Sequence, residues 1–173
     1  MKSNYLATGV IAILFTAIGL YFGNARALAE TPSAAAAQDF FATSLPDAKN
    51  QSQALAQWKG KILLVNFWAT WCHPCVQEMP ELSNLQAKGK IKNLQIIGIG
   101  IDSASNIEEF SVKYKISYPL YVGGMGGSEL LRKMGDPAGG LPFSLLIGAD
   151  GQVKKTYLGS LKVDQVKRDI AAL

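Results

Sequence analysis

Two cysteines stand three residues apart in Cys72-His73-Pro74-Cys75, and the 173-residue chain has no others. The stretch before them, Ile62-Leu63-Leu64-Val65-Asn66-Phe67-Trp68, is nearly all apolar and predicts a strand buried on both faces. The stretch after them predicts a helix with Val76, Met79, Leu82 and Leu85 inward, kinked at Pro80. A C-x-x-C at such a junction has a definite chemical use. The free N–H groups and partial positive charge of a helix N-terminus stabilise a thiolate at Cys72, which becomes the attacking nucleophile. Cys75, one helical turn on, is close enough to attack a mixed disulfide and release the partner. Pro74 suits the first turn of the helix. A purely structural disulfide would close too short a loop to stabilise much. A closed zinc site needs four ligands, and the chain has two cysteines and one histidine, His73.

The elements that must position these cysteines follow from patterning. Phe40, Phe41 and Leu45, then Leu55 and Trp58, predict short strands or a hairpin around Pro46-Asp47. Leu94 to Ile101 predicts a second buried strand and Ser105 to Tyr114 a helix with Glu108 and Glu109 in its first turns. Pro119 to Val122 predicts a short strand, and Ser128 to Met134 a helix ending at Gly135. Phe143 to Ile147 and Val153 to Tyr157 predict strands joined by an Asp150-Gly151 turn, and Asp164 to Leu173 a closing amphipathic helix. The order gives an α/β fold, a mixed central sheet flanked by helices on both faces. Gly123-Gly124-Met125-Gly126-Gly127 reads as a flexible loop, since it lacks the Gly-Lys-Ser/Thr ending of a phosphate cradle.

Val65-Asn66-Phe67-Trp68-Ala69-Thr70-Trp71-Cys72-His73-Pro74-Cys75, followed by Glu78-Met79-Pro80, resembles the thioredoxin-like superfamily, and in detail its membrane-tethered TlpA/ResA branch. The resemblance covers residues 57–173. It implies a thioredoxin-like fold and a thiol–disulfide oxidoreductase. It also implies that Gly140-Leu141-Pro142-Phe143-Ser144 carries the family's cis-proline, with Pro142 and its neighbour Leu141 binding the backbone of a substrate opposite the disulfide. Thioredoxins bury an aspartate where this chain has Asn66, and an amide cannot take the proton that Cys75 must lose. Glu78, one turn after Cys75, is the alternative base, and a glutamate there is typical of the branch. Trp71 is expected to shield the disulfide and meet a partner, and Trp68 to lie in the core. A charged His73 would favour the Cys72 thiolate and make the disulfide more oxidising.

The first thirty residues read as an address. Lys2 precedes an uncharged run from Leu6 to Phe22, about 25 Å of helix and slightly short of a bilayer core. Ala27-Leu28-Ala29 would suit cleavage before Glu30, but the run is long for a signal peptide and favours an uncleaved anchor. The expected division is therefore 1–29 signal anchor or signal peptide, 30–37 a tether unable to build a core, and 38–173 the thioredoxin-like domain. Export would place both cysteines in an oxidising compartment, on the periplasmic side of an inner membrane. The composition, 49% hydrophobic and 17% charged, excludes a disordered chain. No dense Lys/Arg run with interleaved aromatics points to nucleic acid.

These readings converge on an exported reductant of client-protein disulfides that needs no cofactor and no metal. Resemblance implies a membrane electron donor of the DsbD/CcdA type, and clients such as apocytochrome c or copper-site assembly proteins. Three rivals use the same residues. His73 would support a disulfide-forming oxidant. Cys72 and Cys75, with His73 or Met125, would serve a copper or zinc chaperone. A peroxidase would want a threonine where Ala69 stands.

Overall fold

The computed structural model describes residues 32, 34–89 and 91–173. The apolar run at 6–22, the cleavage point before Glu30 and the start of the expected tether lie outside the described residues. No helix among the described residues is long and apolar enough to cross a membrane.

The central strand β3 (Ile62–Trp68) is buried along almost its whole length. It pairs in parallel with β4 (Leu94–Gly100) and antiparallel with β6 (Phe143–Ile147). The short β5 (Leu120–Val122) extends the sheet beyond β4, and β7 (Val153–Leu158) extends it beyond β6, giving the order β5-β4-β3-β6-β7. A separate hairpin, β1 (Ser44–Pro46) and β2 (Ser52–Ala54), forms around Pro46-Asp47 as the sequence predicts, followed by a short 3-10 turn at Leu55–Trp58.

Alternation along β3 divides the core in two. Leu63, Val65 and Phe67 join the cluster that contains Phe40, Leu55, Ile97 and Phe143. Leu64 and Trp68 join the opposite cluster, with Met79, Leu82, Ile107 and Val166. Helices α2 (His73–Ala87), α3 (Ala104–Lys113) and α5 (Val163–Ala171) supply the second cluster. Helices α1 (Ala34–Ala42) and α4 (Gly124–Lys133) supply the first. Period-two burial on both faces is what demands helices on both sides.

Two expectations need correction. The segment 34–42 is a helix: Ala37, Phe40 and Phe41 are all buried, so the stretch expected to be a tether already contributes to the core. Its alanine run is a good helix former, and the two phenylalanines pack at its end rather than in a strand. The glycine-rich segment 123–127 is the start of α4, not a flexible loop. Its glycines serve close packing. A Cβ at Gly127 would lie 2.8 Å from the Ile101 Cδ1, and one at Gly123 2.8 Å from the Ile99 Cγ2. At Gly123 backbone atoms also crowd the position, with the Gly127 Cα at 3.0 Å and the Gly100 carbonyl at 3.1 Å, so glycine there lets α4 settle against β4; at Gly127 the Ile101 tip alone would have to shift.

Candidate active site

The site lies at the C-terminal end of β3, where the chain turns into α2. Cys72 takes an extended conformation (φ −85°, ψ 98°) and caps α2, its Sγ accepting the Cys75 N–H at 3.4 Å. Pro74 sits in the first turn, where the missing N–H costs nothing. Cys72 and Cys75 form a disulfide with their Cα atoms 5.3 Å apart. Cys75 is fully buried and Cys72 is 6% exposed, so the first sulfur offers the only approach.

The turn that carries Cys72 is pinned from the neighbouring strand. Asp102, just beyond β4, accepts hydrogen bonds from the Thr70 hydroxyl and from the Thr70 N–H at 3.2 Å. Its other oxygen accepts from Ser103 N–H at 2.8 Å and Asn106 Nδ2 at 2.7 Å. Burial would raise its pKa, but these hydrogen bonds outweigh it and hold the carboxyl below its usual range. Sequence patterning missed Asp102 and Thr70. The available signal was a carboxylate just past the end of a strand running parallel to β3.

Beneath the disulfide, Glu78 is buried on α2. Its Oε1 accepts from Asn66 Nδ2 at 2.8 Å, and its Oε2 accepts the Leu161 N–H at 2.7 Å. Burial raises its pKa from 4.5 to about 7, against the lowering effect of these two hydrogen bonds. Asn66, fully buried on β3, also donates to Ser144 Oγ on β6 at 3.0 Å, while its own Oδ1 has no partner. Tyr118 lies close enough to feel the charge: burial first, and Glu78 second, push its phenol far above the usual range. The structure thus joins Glu78 directly to Asn66. It adds Ser144 and the Leu161 amide, which no motif marked.

The Leu141–Pro142 peptide bond is cis. Pro142 immediately precedes β6, whose first residue, Phe143, pairs with Phe67 near the end of β3. The bond therefore lies at the same end of the sheet as the cysteines, and Leu141 packs on the cluster that includes both. Trp71 is 70% exposed. It borders a cavity of about 380 Å³ with Thr70, His73, Val76, Glu109 and Phe110. His73 is exposed beside Cys72, its Nε2 3.1 Å from the Gln77 side-chain amide. Among the described residues no group of three or more His, Cys, Asp or Glu side chains is placed to hold a metal ion.

A disulfide at a helix cap, at the same end of the sheet as a cis-proline that leads into the adjoining strand, defines a class: this is a thiol–disulfide oxidoreductase of the thioredoxin fold. A family model described as Redoxin matches residues 32–172. The chain belongs to that family and is a TlpA/ResA-like member of it. The thiol-disulfide oxidoreductase ResA of Bacillus anthracis is 32% identical over 172 residues, covering 96% of this chain and 95% of that protein. ResA of Geobacillus thermodenitrificans is 27% identical over 172 residues, with 97% and 94% covered. Among solved structures, a thioredoxin-family thiol:disulfide interchange protein from Chlorobium tepidum matches with a TM-score of 0.63 at 27% identity, covering 75% of this chain and 91% of that one. A thioredoxin-related protein from Neisseria meningitidis serogroup B gives 0.65 at 28% identity, with 74% and 96% covered.

Proposed function

We propose that the chain is an exported reductant, held by its N-terminal segment at the periplasmic side of an inner membrane, that reduces disulfides in client proteins. The observation that carries this reading is the buried Glu78, one turn below Cys75, held by Asn66 and the Leu161 amide. The Cys72 thiolate attacks one sulfur of a client disulfide. A mixed disulfide forms, and the client's other sulfur leaves as a thiolate and takes up a proton. Cys75 then loses its proton to the Glu78 carboxylate and attacks the Cys72 sulfur. The Cys72–Cys75 disulfide forms, the second client sulfur leaves, and two electrons have passed to the client. Glu78 returns the proton when a membrane thiol–disulfide carrier of the DsbD/CcdA type reduces the pair again.

Leu141 and Pro142 would align the client backbone beside Cys72, and Trp71 would cover the mixed disulfide. His73 would tune the thiolate from the exposed side, and Pro74 would set the first turn. Clients such as apocytochrome c or copper-site assembly proteins would present a disulfide to a site reached through one sulfur. Incubating the reduced chain with an oxidised peptide bearing Cys-x-x-Cys-His is expected to yield two peptide thiols per protein oxidised. An unchanged peptide, beside a protein still reduced, would contradict the reading.

A further inference from the structure

The end of the sheet opposite the disulfide has a chemistry of its own. Because β3 and β4 run parallel, the turns that lead into them lie side by side. Lys59 and Lys61 stand in the first turn, Lys88 and Lys92 in the second, and all four are exposed. The two turns are bonded together: Asn93 Nδ2 donates to the Gly60 carbonyl at 2.9 Å, and the Ile62 N–H donates to the Asn93 carbonyl at 3.1 Å. Neither turn carries an acidic residue. Among the described residues the ion pairs are Lys154–Asp150, Lys155–Asp169 and Lys167–Asp164, so none involves these four lysines. Lys59 only overhangs the Phe41 ring, 5.7 Å from its centroid. The carboxylates that share a cavity with these lysines are Asp150, beside Lys59 and paired with Lys154, and Glu81, beside Lys88 and not paired with it.

Helix α1 begins near the same pole, although Pro32, two residues earlier, lies against Gly135, near Thr156 of β7. Ala34, at the start of α1, shares a small cavity with Lys59, Gly60 and the 149–152 turn. The apolar run at 6–22 therefore lies a short stretch of chain before this basic face. The disulfide is at the far end of β3, about 23 Å away for a seven-residue strand.

We propose that the face formed by Lys59, Lys61, Lys88 and Lys92 rests against an anionic lipid surface, so that the disulfide points away from the membrane toward soluble clients. The proposal rests on the reading that the N-terminal segment stays in a membrane. An anchor alone fixes distance and leaves the domain free to tumble. Four unpaired cations near the start of α1 add an orienting attraction to phosphate headgroups, strongest within a Debye length of the surface.

The test uses the full-length chain in vesicles of phosphatidylcholine alone, or of phosphatidylcholine with phosphatidylglycerol. An amine-reactive reagent is added at low ionic strength, and labelling of each lysine is followed by mass spectrometry. Lys59, Lys61, Lys88 and Lys92 are expected to label at least about threefold more slowly on the anionic vesicles. Lys113, which borders the cavity beside Trp71, is expected to label equally on both. High salt should abolish the difference. The double variant Lys61→Glu/Lys92→Glu should lose the protection of Lys59 and Lys88. Equal labelling of the four lysines on both vesicles overturns the proposal and leaves the face to an acidic protein. Retention on neutral vesicles after an alkaline wash reports separately on the anchor, and peptide reduction in the same sample reports separately on the redox reading.

Discussion

Replacing Cys75 with serine is expected to turn catalysis into a dead end. The variant keeps Cys72 at the cap of α2, so the first attack on a client disulfide proceeds. It lacks the sulfur that resolves the mixed disulfide, so each molecule stops with its client attached through Cys72. Multiple-turnover reduction should fall by at least about a thousandfold, as expected when one member of a catalytic pair is removed. A covalent adduct that a small reductant releases should accumulate in proportion to protein. Cys72→Ser should fail earlier and form no adduct, because the remaining sulfur is fully buried. Adducts formed equally by both variants would mean that Cys75 can also attack, contradicting the assignment by burial.

Glu78→Gln has the second large effect, on rate and on stability. A carboxylate held near neutrality can accept the Cys75 proton, and an amide cannot. Client release in the native protein should rise with pH up to about 7, where Glu78 ionises. In the variant this inflection should vanish and release should slow by about 100-fold or more. The same group leaves a mark on the oxidised protein's stability. Below pH 4.5 Glu78 is protonated in both folded and unfolded chains; between 4.5 and about 7 the unfolded chain ionises while the folded one resists. Stability should therefore fall across that window as pH rises, by no more than about 3 kcal/mol, and then level off. Glu78→Gln should remove this slope. The variant can still fold around the amide, because Asn66 has an unpartnered Oδ1 to offer it after a rotation. A variant with the native pH profile of client release and of unfolding would exclude Glu78 as the proton acceptor.

Much of this was legible in the chain. The nearly unbroken apolar run 62–68 marks the central strand, because a strand covered on both sides has no polar face to show. The Cys-His-Pro-Cys step marks the helix cap, since the cap, the proline and the cysteine spacing all want the same backbone. Pro142 came from family resemblance alone, and the cis bond is there in the structure. What stayed hidden was held by tertiary contact. The Leu161 N–H that grips Glu78 comes from a loop 83 positions away, and a backbone donor leaves no trace in residue type. Ser144 reads as an ordinary polar residue until β6 pairs with β3 and sets it against Asn66. The glycines at 123 and 127 looked like flexibility because their use, the close approach of a helix to β4, depends on which strand lies beneath. The alanines at 34–37 looked like a tether because alanine shows no burial preference until a partner surface is known.

The central claim is that the Cys72–Cys75 pair gives electrons to clients, and the equilibrium with glutathione tests it most directly. The chain is brought to equilibrium in buffers of graded reduced and oxidised glutathione, the thiols are trapped, and the reduced fraction gives the potential. A reductant should lie near or below about −250 mV, in the range of thioredoxin. A value near about −120 mV would make the pair a disulfide donor, with electrons flowing from client to protein.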